Sequence, residues 1–148
     1  MSVWYGRWLS YLAALILVTV IMIYLLDVPT IITGASELVK EYYYDNAIGS
    51  FILDIFLVAF YISIAMYISK MLNIRGDDHA KQIVLLALVS ILISTSFMLY
   101  FINGGSEGTF FHRWFMTVGW KAVLYDGILV SSVYIMMIAI HKRLFPAV

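Results

Sequence analysis

The sequence predicts an all-α integral membrane protein: a four-transmembrane-helix bundle running up-down-up-down, with short interfacial helices on its outer face. Three observations carry that expectation. The chain of 148 residues is 64% hydrophobic and only 12% charged, whereas a soluble domain is nearer half apolar and about a quarter charged. A soluble fold of this length has no core large enough to hide so much apolar surface. The apolar residues also gather into four runs of 19 to 23 residues, and about 20 residues at a rise of ~1.5 Å cross a hydrocarbon core of roughly 30 Å.

The runs are residues 8–26, 47–69, 82–102 and 122–140, all in one membrane domain over residues 1–148. The first and third carry no charge, the second is broken only by Asp54, and the fourth carries Asp126. Membrane β-strands would show alternation over about ten residues, which is absent. The first run is too long for the apolar part of a secretion leader. Asp27 and Pro29 also intervene before the small residues Thr33 and Ala35, so it is read as a span.

The connections have patterns of their own. Asp27-Val28-Pro29 suits a helix start, with Asp as cap and Pro in the first turn, where its missing N–H does no harm. Ile31, Ile32, Ala35, Leu38, Val39, Tyr42 and Tyr43 then recur at helical spacing, opposite Ser36, Glu37, Lys40 and Glu41. This predicts one amphipathic interfacial helix over 29–44. Residues 103–108, Asn-Gly-Gly-Ser-Glu-Gly, form a turn, and Phe110, Phe111, Trp114, Phe115 and Val118 predict a second interfacial helix over 109–119. Arg7, Lys70, Arg75, Lys81, Lys142 and Arg143 fall on one side of the bundle, against Lys40, Arg113 and Lys121 on the other. The basic excess predicts that both termini are cytoplasmic.

Composition excludes several functions. Nine Lys/Arg balance nine Asp/Glu, so no basic surface invites nucleic acid. The absence of cysteine removes disulfides, thiolate metal sites and cysteine nucleophiles. His79, His112 and His141 share no helix face, and no hydrolase, metalloprotease, phosphate-loop or dinucleotide motif occurs. An enzyme is not expected, nor is any metal or cofactor. The expected partners are the lipid bilayer and either further copies of the chain or other membrane proteins.

The polar residues inside the runs are the candidates for chemistry. A carboxylate in a span costs roughly 2.5–3.5 kcal/mol on insertion scales, so each needs a reason. With cytoplasmic termini, Asp54 lies about 10 Å and Asp126 about 6 Å into the outer half, and Asp27 ends the first run on the same side. Together they form either a cation or proton site, or a buried polar cluster paired with Arg113, Lys121 or His112. For Asp27 the simpler account is a helix cap. For Asp126 it is a helix start, where the dipole favours an anion, or an ion pair with Lys121 or Arg113. For Asp54 the alternatives are a functional role and a buried hydrogen bond to Tyr, Ser or Thr. It shares a helix face with Val58, Tyr61 and Ala65, so Tyr61 extends the polar track inward. Ser90, Ser94, Ser131 and Ser132 suit close helix packing or the wall of a pore. Thr117-Val118-Gly119-Trp120 resembles part of a potassium filter, but Lys121 stands where the second glycine belongs.

The stretch Phe110-Phe111-His112-Arg113-Trp114-Phe115, with Val118-Gly119-Trp120-Lys121-Ala122-Val123-Leu124-Tyr125-Asp126, resembles a segment of small, uncharacterised multi-span membrane proteins encoded by large DNA viruses of algae and protists. The likeness covers about the last forty residues. It implies a viral membrane protein in a virion's internal membrane or the host's, and it carries no assigned activity or functional residue. The expected function is a structural or assembly role, with transport of protons or cations through the carboxylate cluster as the alternative.

Overall fold

A computed structural model describes residues 3–146. Among them every regular element is helical. Helix α1 (Val3–Thr19) continues as a π-helical stretch, Val20–Leu25. Then come α2 (Val28–Thr33), α3 (Ser36–Lys40) with a π-helical extension over Glu41–Asp45, and α4 (Ala47–Met71). Helices α5 (His79–Ile102), α6 (Phe110–Val118) and α7 (Trp120–Leu144) complete the chain. Four of the helices are long and apolar enough to cross a membrane, at Trp4–Leu25, Ala47–Met71, His79–Ile102 and Trp120–Leu144.

Helix α7 is the hub. It packs along α5 and α1, and it also touches α2, α4 and α6. Its buried face carries Ala122, Tyr125, Leu129, Val133 and others at three- and four-residue steps, the spacing that lines up one side of an α-helix. In α4 the buried residues form a narrower stripe through Ser50, Asp54, Val58, Tyr61, Ala65 and Ser69, which is the face its sequence pattern marks. The outward faces are apolar. Ile48, Phe56 and Leu92 are each about 70–80% exposed, a surface too oily for water and suited to lipid.

One end of the bundle is capped. The connection between the first two long helices meets α6 there, with Tyr42 stacked on Phe110 at 5.0 Å between ring centroids. At the other end Gly6 lies against the Phe145 ring, and the Ser10 hydroxyl, which donates to Gly6 O at 2.8 Å, is 3.3 Å from His141 Nδ1. The first and last helices are thus tied together near the termini.

Two expectations about the cap need correction. The amphipathic segment 29–44 is not one helix. It breaks after Thr33, where Gly34 takes a left-handed φ of 70° and its N–H bonds back to Thr30 O. Glycine adopts that conformation at no steric cost, so the chain turns there and the stripe is not continuous. Val39 and Tyr43 are buried, but Ile31 is 75% exposed. Nor does the Asp27 side chain cap α2. A capping residue usually sits in the extended region, whereas Asp27 is left-handed (φ 50°, ψ 42°), exposed, and makes no side-chain cap bond. Only its carbonyl serves the helix, accepting from Ile31 N at 3.1 Å. The capping chemistry appears instead at Thr109, whose hydroxyl oxygen accepts from His112 N to start α6, and at Asp78, which accepts from Lys81 N to start α5.

The turn before α6 depends on Gly105. A Cβ placed there would lie 2.6 Å from the Tyr100 ring and 2.7 Å from the Tyr100 carbonyl oxygen, and a carbonyl held in its turn cannot give way as a ring can. At Gly49, inside α4, a Cβ meets nothing within 4 Å. Gly105→Ala is expected to lower the thermal midpoint of the detergent-solubilised protein, at a cost of about 1–3 kcal/mol. Gly49→Ala is expected to raise it, by about 0.5–1 kcal/mol from the entropy glycine loses in a helix. Equal midpoints for the two variants would contradict this account of the turn.

Candidate functional site

The polar cluster sits just under the cap. Helix α4 carries Asp54 on its buried stripe, 7% exposed, and the donor that meets it comes from the cap: Tyr42 donates its hydroxyl to Asp54 Oδ1 at 2.5 Å. Tyr42 and its neighbour Tyr43 belong to the π-helical extension of α3. A π turn holds more residues than an α turn, so adjacent side chains diverge less in angle, and both tyrosines reach the bundle. Tyr43 OH is 2.6 Å from Tyr125 OH on α7, and Tyr43 O accepts from Tyr24 OH at 2.5 Å. Burial, together with the nearby Asp54 charge, holds the Tyr42 hydroxyl well above its ordinary pKa, so it remains a proton donor.

A second chain of hydroxyls serves Asp126. Ser94 on α5 donates to Asp126 Oδ2 at 2.7 Å, and Tyr61 OH on α4 lies 3.0 Å from Ser94 Oγ. The serine has one proton and spends it on the carboxylate, so Tyr61 is the donor to Ser94. Tyr61, which the α4 spacing groups with Asp54, therefore serves Asp126 of α7 through Ser94 of α5, and among the described residues no hydrogen bond joins it to Asp54.

Asp54, Asp126, Tyr42, Tyr43, Tyr61 and Tyr125 all contribute to the wall of one cavity of about 160 Å³. Its remaining wall is largely aromatic, with Phe110, Phe111 and Trp114 of α6 and Phe101 of α5. Phe110 is the centre of a stack, lying between Tyr42 (28° between planes) and Trp114 (20°). Toward the other end of the bundle the core closes: Ala65, Leu86 and Val133 have no exposed surface.

The other sequence candidates lie elsewhere. Arg113 forms a two-pronged ion pair with Glu41, both bonds at 2.7 Å, and stands over the Phe110 ring at 5.8 Å. That guanidinium holds the Glu41 carboxyl below its usual range. The pair fastens α6 to the π-helical extension across the top of the cap. Lys121 is exposed and, among the described residues, makes no ion pair. Asp27 is exposed at its turn. Asp126 is thus met by a serine and not by either cation. Ser90, one turn from Ser94, is fully buried, and its hydroxyl has no partner among the described residues. Thr117-Val118-Gly119-Trp120 is helix end, turn and helix start: Gly119 N bonds to Phe115 O and Ala122 N to Gly119 O. That is no extended carbonyl ladder of the filter kind. Among the described residues no group of three or more His, Cys, Asp or Glu side chains is placed to hold a metal ion.

The sequence reading offers a Tyr, Ser or Thr donor for Asp54 but does not single out Tyr42, nor Ser94 for Asp126, nor the Tyr43–Tyr125 and Glu41–Arg113 pairs. The available signal was the run Tyr42-Tyr43-Tyr44 a few residues before a span that contains an acid. Interfacial tyrosines are ordinary, so the run reads first as an aromatic belt. Compared with known proteins, the chain matches no family model, no curated protein and no solved structure.

Removing the Tyr42 hydroxyl leaves Asp54 buried without its donor, which costs about 1–3 kcal/mol. Tyr42→Phe is expected to lower thermal stability by that amount. In an Asp54→Leu background the same change is expected to cost far less, because the two effects couple through one bond. Additive losses in the four-variant cycle would show that the bond contributes nothing.

Proposed function

We propose that the chain is a non-enzymatic integral membrane protein with a structural or assembly role, and that its polar cluster fastens the cap to the bundle. One observation carries this reading: the cluster's bonds link separate elements. Tyr42 joins the cap to α4, Tyr43 joins it to α7, Ser94 joins α5 to α7, and Glu41–Arg113 joins the two connections to each other. Inside an apolar bundle such bonds fix which helix neighbours which, a service dispersion forces alone perform poorly. The apolar closure at Ala65, Leu86 and Val133 weighs against an open aqueous path through a single copy. The end-to-end ties support an up-down-up-down course through the bilayer. The basic-residue excess supports cytoplasmic termini.

A second reading, a small proton or cation transporter, is favoured by a separate observation: Asp54 and Asp126 line one cavity. Flux measurements separate the two readings. In liposomes the wild-type protein is expected to pass protons and cations no faster than empty vesicles, and Asp54→Asn and Asp126→Asn are expected to be only less stable. Flux that disappears in folded variants would make the carboxylates a transport site and sink the structural reading. Because the chain has no cysteine, Asp77→Cys and Glu107→Cys report topology cleanly. An impermeant thiol reagent is expected to reach Asp77→Cys only from the cytoplasmic side and Glu107→Cys only from the opposite side.

A further inference from the structure

The capped cavity has more features than fastening requires. A carboxylate offers about four acceptor positions, yet Asp54 and Asp126 each take one side-chain hydrogen bond among the described residues. Asp54 Oδ2 and Asp126 Oδ1 receive none, and neither is among the fully buried unpartnered atoms of the described residues, so both remain accessible. Both residues lie in the cavity wall, and no Lys, Arg or His does. Two carboxyl groups facing one small space either keep their protons or draw a counter-charge into it.

The rest of the wall narrows the identity of that counter-charge. Aromatic faces carry negative quadrupole charge and attract cations, quaternary ammonium groups above all. Phe110, Phe111, Trp114 and Tyr42 line the space together with the two acids, and this aromatic group already meets one cation, the Arg113 guanidinium over Phe110. Calcium takes about 6–8 oxygen ligands and magnesium a nearly ideal octahedron. Only two carboxylates face the space, and among the described residues no group of three or more His, Cys, Asp or Glu side chains is placed to hold a metal ion. The volume of about 160 Å³ is below the roughly 300 Å³ at which drug-sized sites begin, and it equals about five waters at ~30 Å³ each. It suits a compact head of one nitrogen and a few carbons.

We infer that the cavity between Asp54 and Asp126 is a binding site for a small alkylammonium ion, seated on the carboxylates and enclosed by the aromatic stack. This inference rests on the second reading above, in that the carboxylates face a ligand, and it names the ligand class. The ammonium group is either that of a free amine or the head group of a membrane lipid.

The test titrates tetramethylammonium chloride into the purified full-length protein in a non-ionic, ammonium-free detergent and reads heat. Choline and its uncharged isostere 3,3-dimethylbutan-1-ol are run beside it, so charge is tested on the wild-type protein without reliance on any variant. The expected result is saturable binding of both ammonium ions, with the neutral isostere at least tenfold weaker. Asp54→Asn, Asp126→Asn and Trp114→Leu, each checked for a cooperative thermal transition, are expected to weaken binding at least tenfold. Repeating the titration in phosphatidylcholine and phosphatidylglycerol nanodiscs assigns the source. Binding suppressed only by phosphatidylcholine identifies the lipid head group, and equal binding in both identifies a free amine. No saturable binding of either ammonium ion in detergent, or equal binding of the neutral isostere, would overturn the inference. Binding without flux would keep the site and remove the transport reading. Proton flux without ammonium binding would keep that reading and remove the site.

Discussion

A carboxylate placed inside an apolar helix must be met by a donor, and in this chain the donor for Asp54 comes from outside the bundle. Tyr42 belongs to a connection of short helical pieces that has little reason to fold by itself, since helices shorter than about 12 residues are marginal in water. Its order is imposed by what it meets: Asp54 through Tyr42, Tyr125 through Tyr43, and Arg113 through Glu41. The acid and the cap therefore stabilise each other. The bundle positions the acid, the acid recruits the tyrosine, and the tyrosine's neighbours close the end of the bundle.

The four long helices were legible because their evidence is redundant. Length, apolarity and the polar connections each point to the same boundaries, and the structure extends them by only a few residues, as at Met71, His79 and Leu144. The buried face of α4 was legible too, because Asp54, Val58, Tyr61 and Ala65 repeat at helical spacing. The short segment 109–119 differs from α6 by a residue at each end. What failed was local geometry that a repeat cannot encode. Gly34 interrupts a stripe whose apolar positions continue on both sides, and the spacing alone does not reveal that the chain turns there. Asp27 next to Pro29 has the composition of a cap, but its left-handed backbone directs the side chain to the surface.

The partners of the acids were the least legible part, for a physical reason. A sequence shows that a buried carboxylate needs a donor but not which donor, because hydroxyls of Tyr and Ser and the charges of Lys and Arg all qualify. In lipid the cheaper answer is the hydroxyl, which brings no second charge to desolvate. The structure follows that economy: Tyr42 and Ser94 serve the acids, while Arg113 stays at the surface with Glu41 and Lys121 is exposed. The same solution recurs near the other end of the pair α5 and α7, where Tyr134 OH donates to Gln82 Oε1 at 2.5 Å.

Those two polar ties, Ser94–Asp126 and Gln82–Tyr134, pin α5 to α7 near both ends, with Leu86, Val130 and Val133 packed as a dry seam between them. Helix α4 is held differently. It presents a narrow buried stripe, and its side-chain links to α5 and the cap run through Tyr61 to Ser94 and through Asp54 to Tyr42. The cavity lies where this more lightly held helix meets the pinned pair and the cap. Close-packed interiors do not deform continuously; they change where few contacts must be exchanged. Of the side-chain bonds that hold α4, Tyr11 OH to Ile55 O and Tyr61 to Ser94 leave both acids untouched, and only Tyr42 to Asp54 is at once a tie on the helix and a bond to a carboxylate. Asp54 is therefore the one acid whose hydrogen bond and whose helix's attachment to the cap are the same contact.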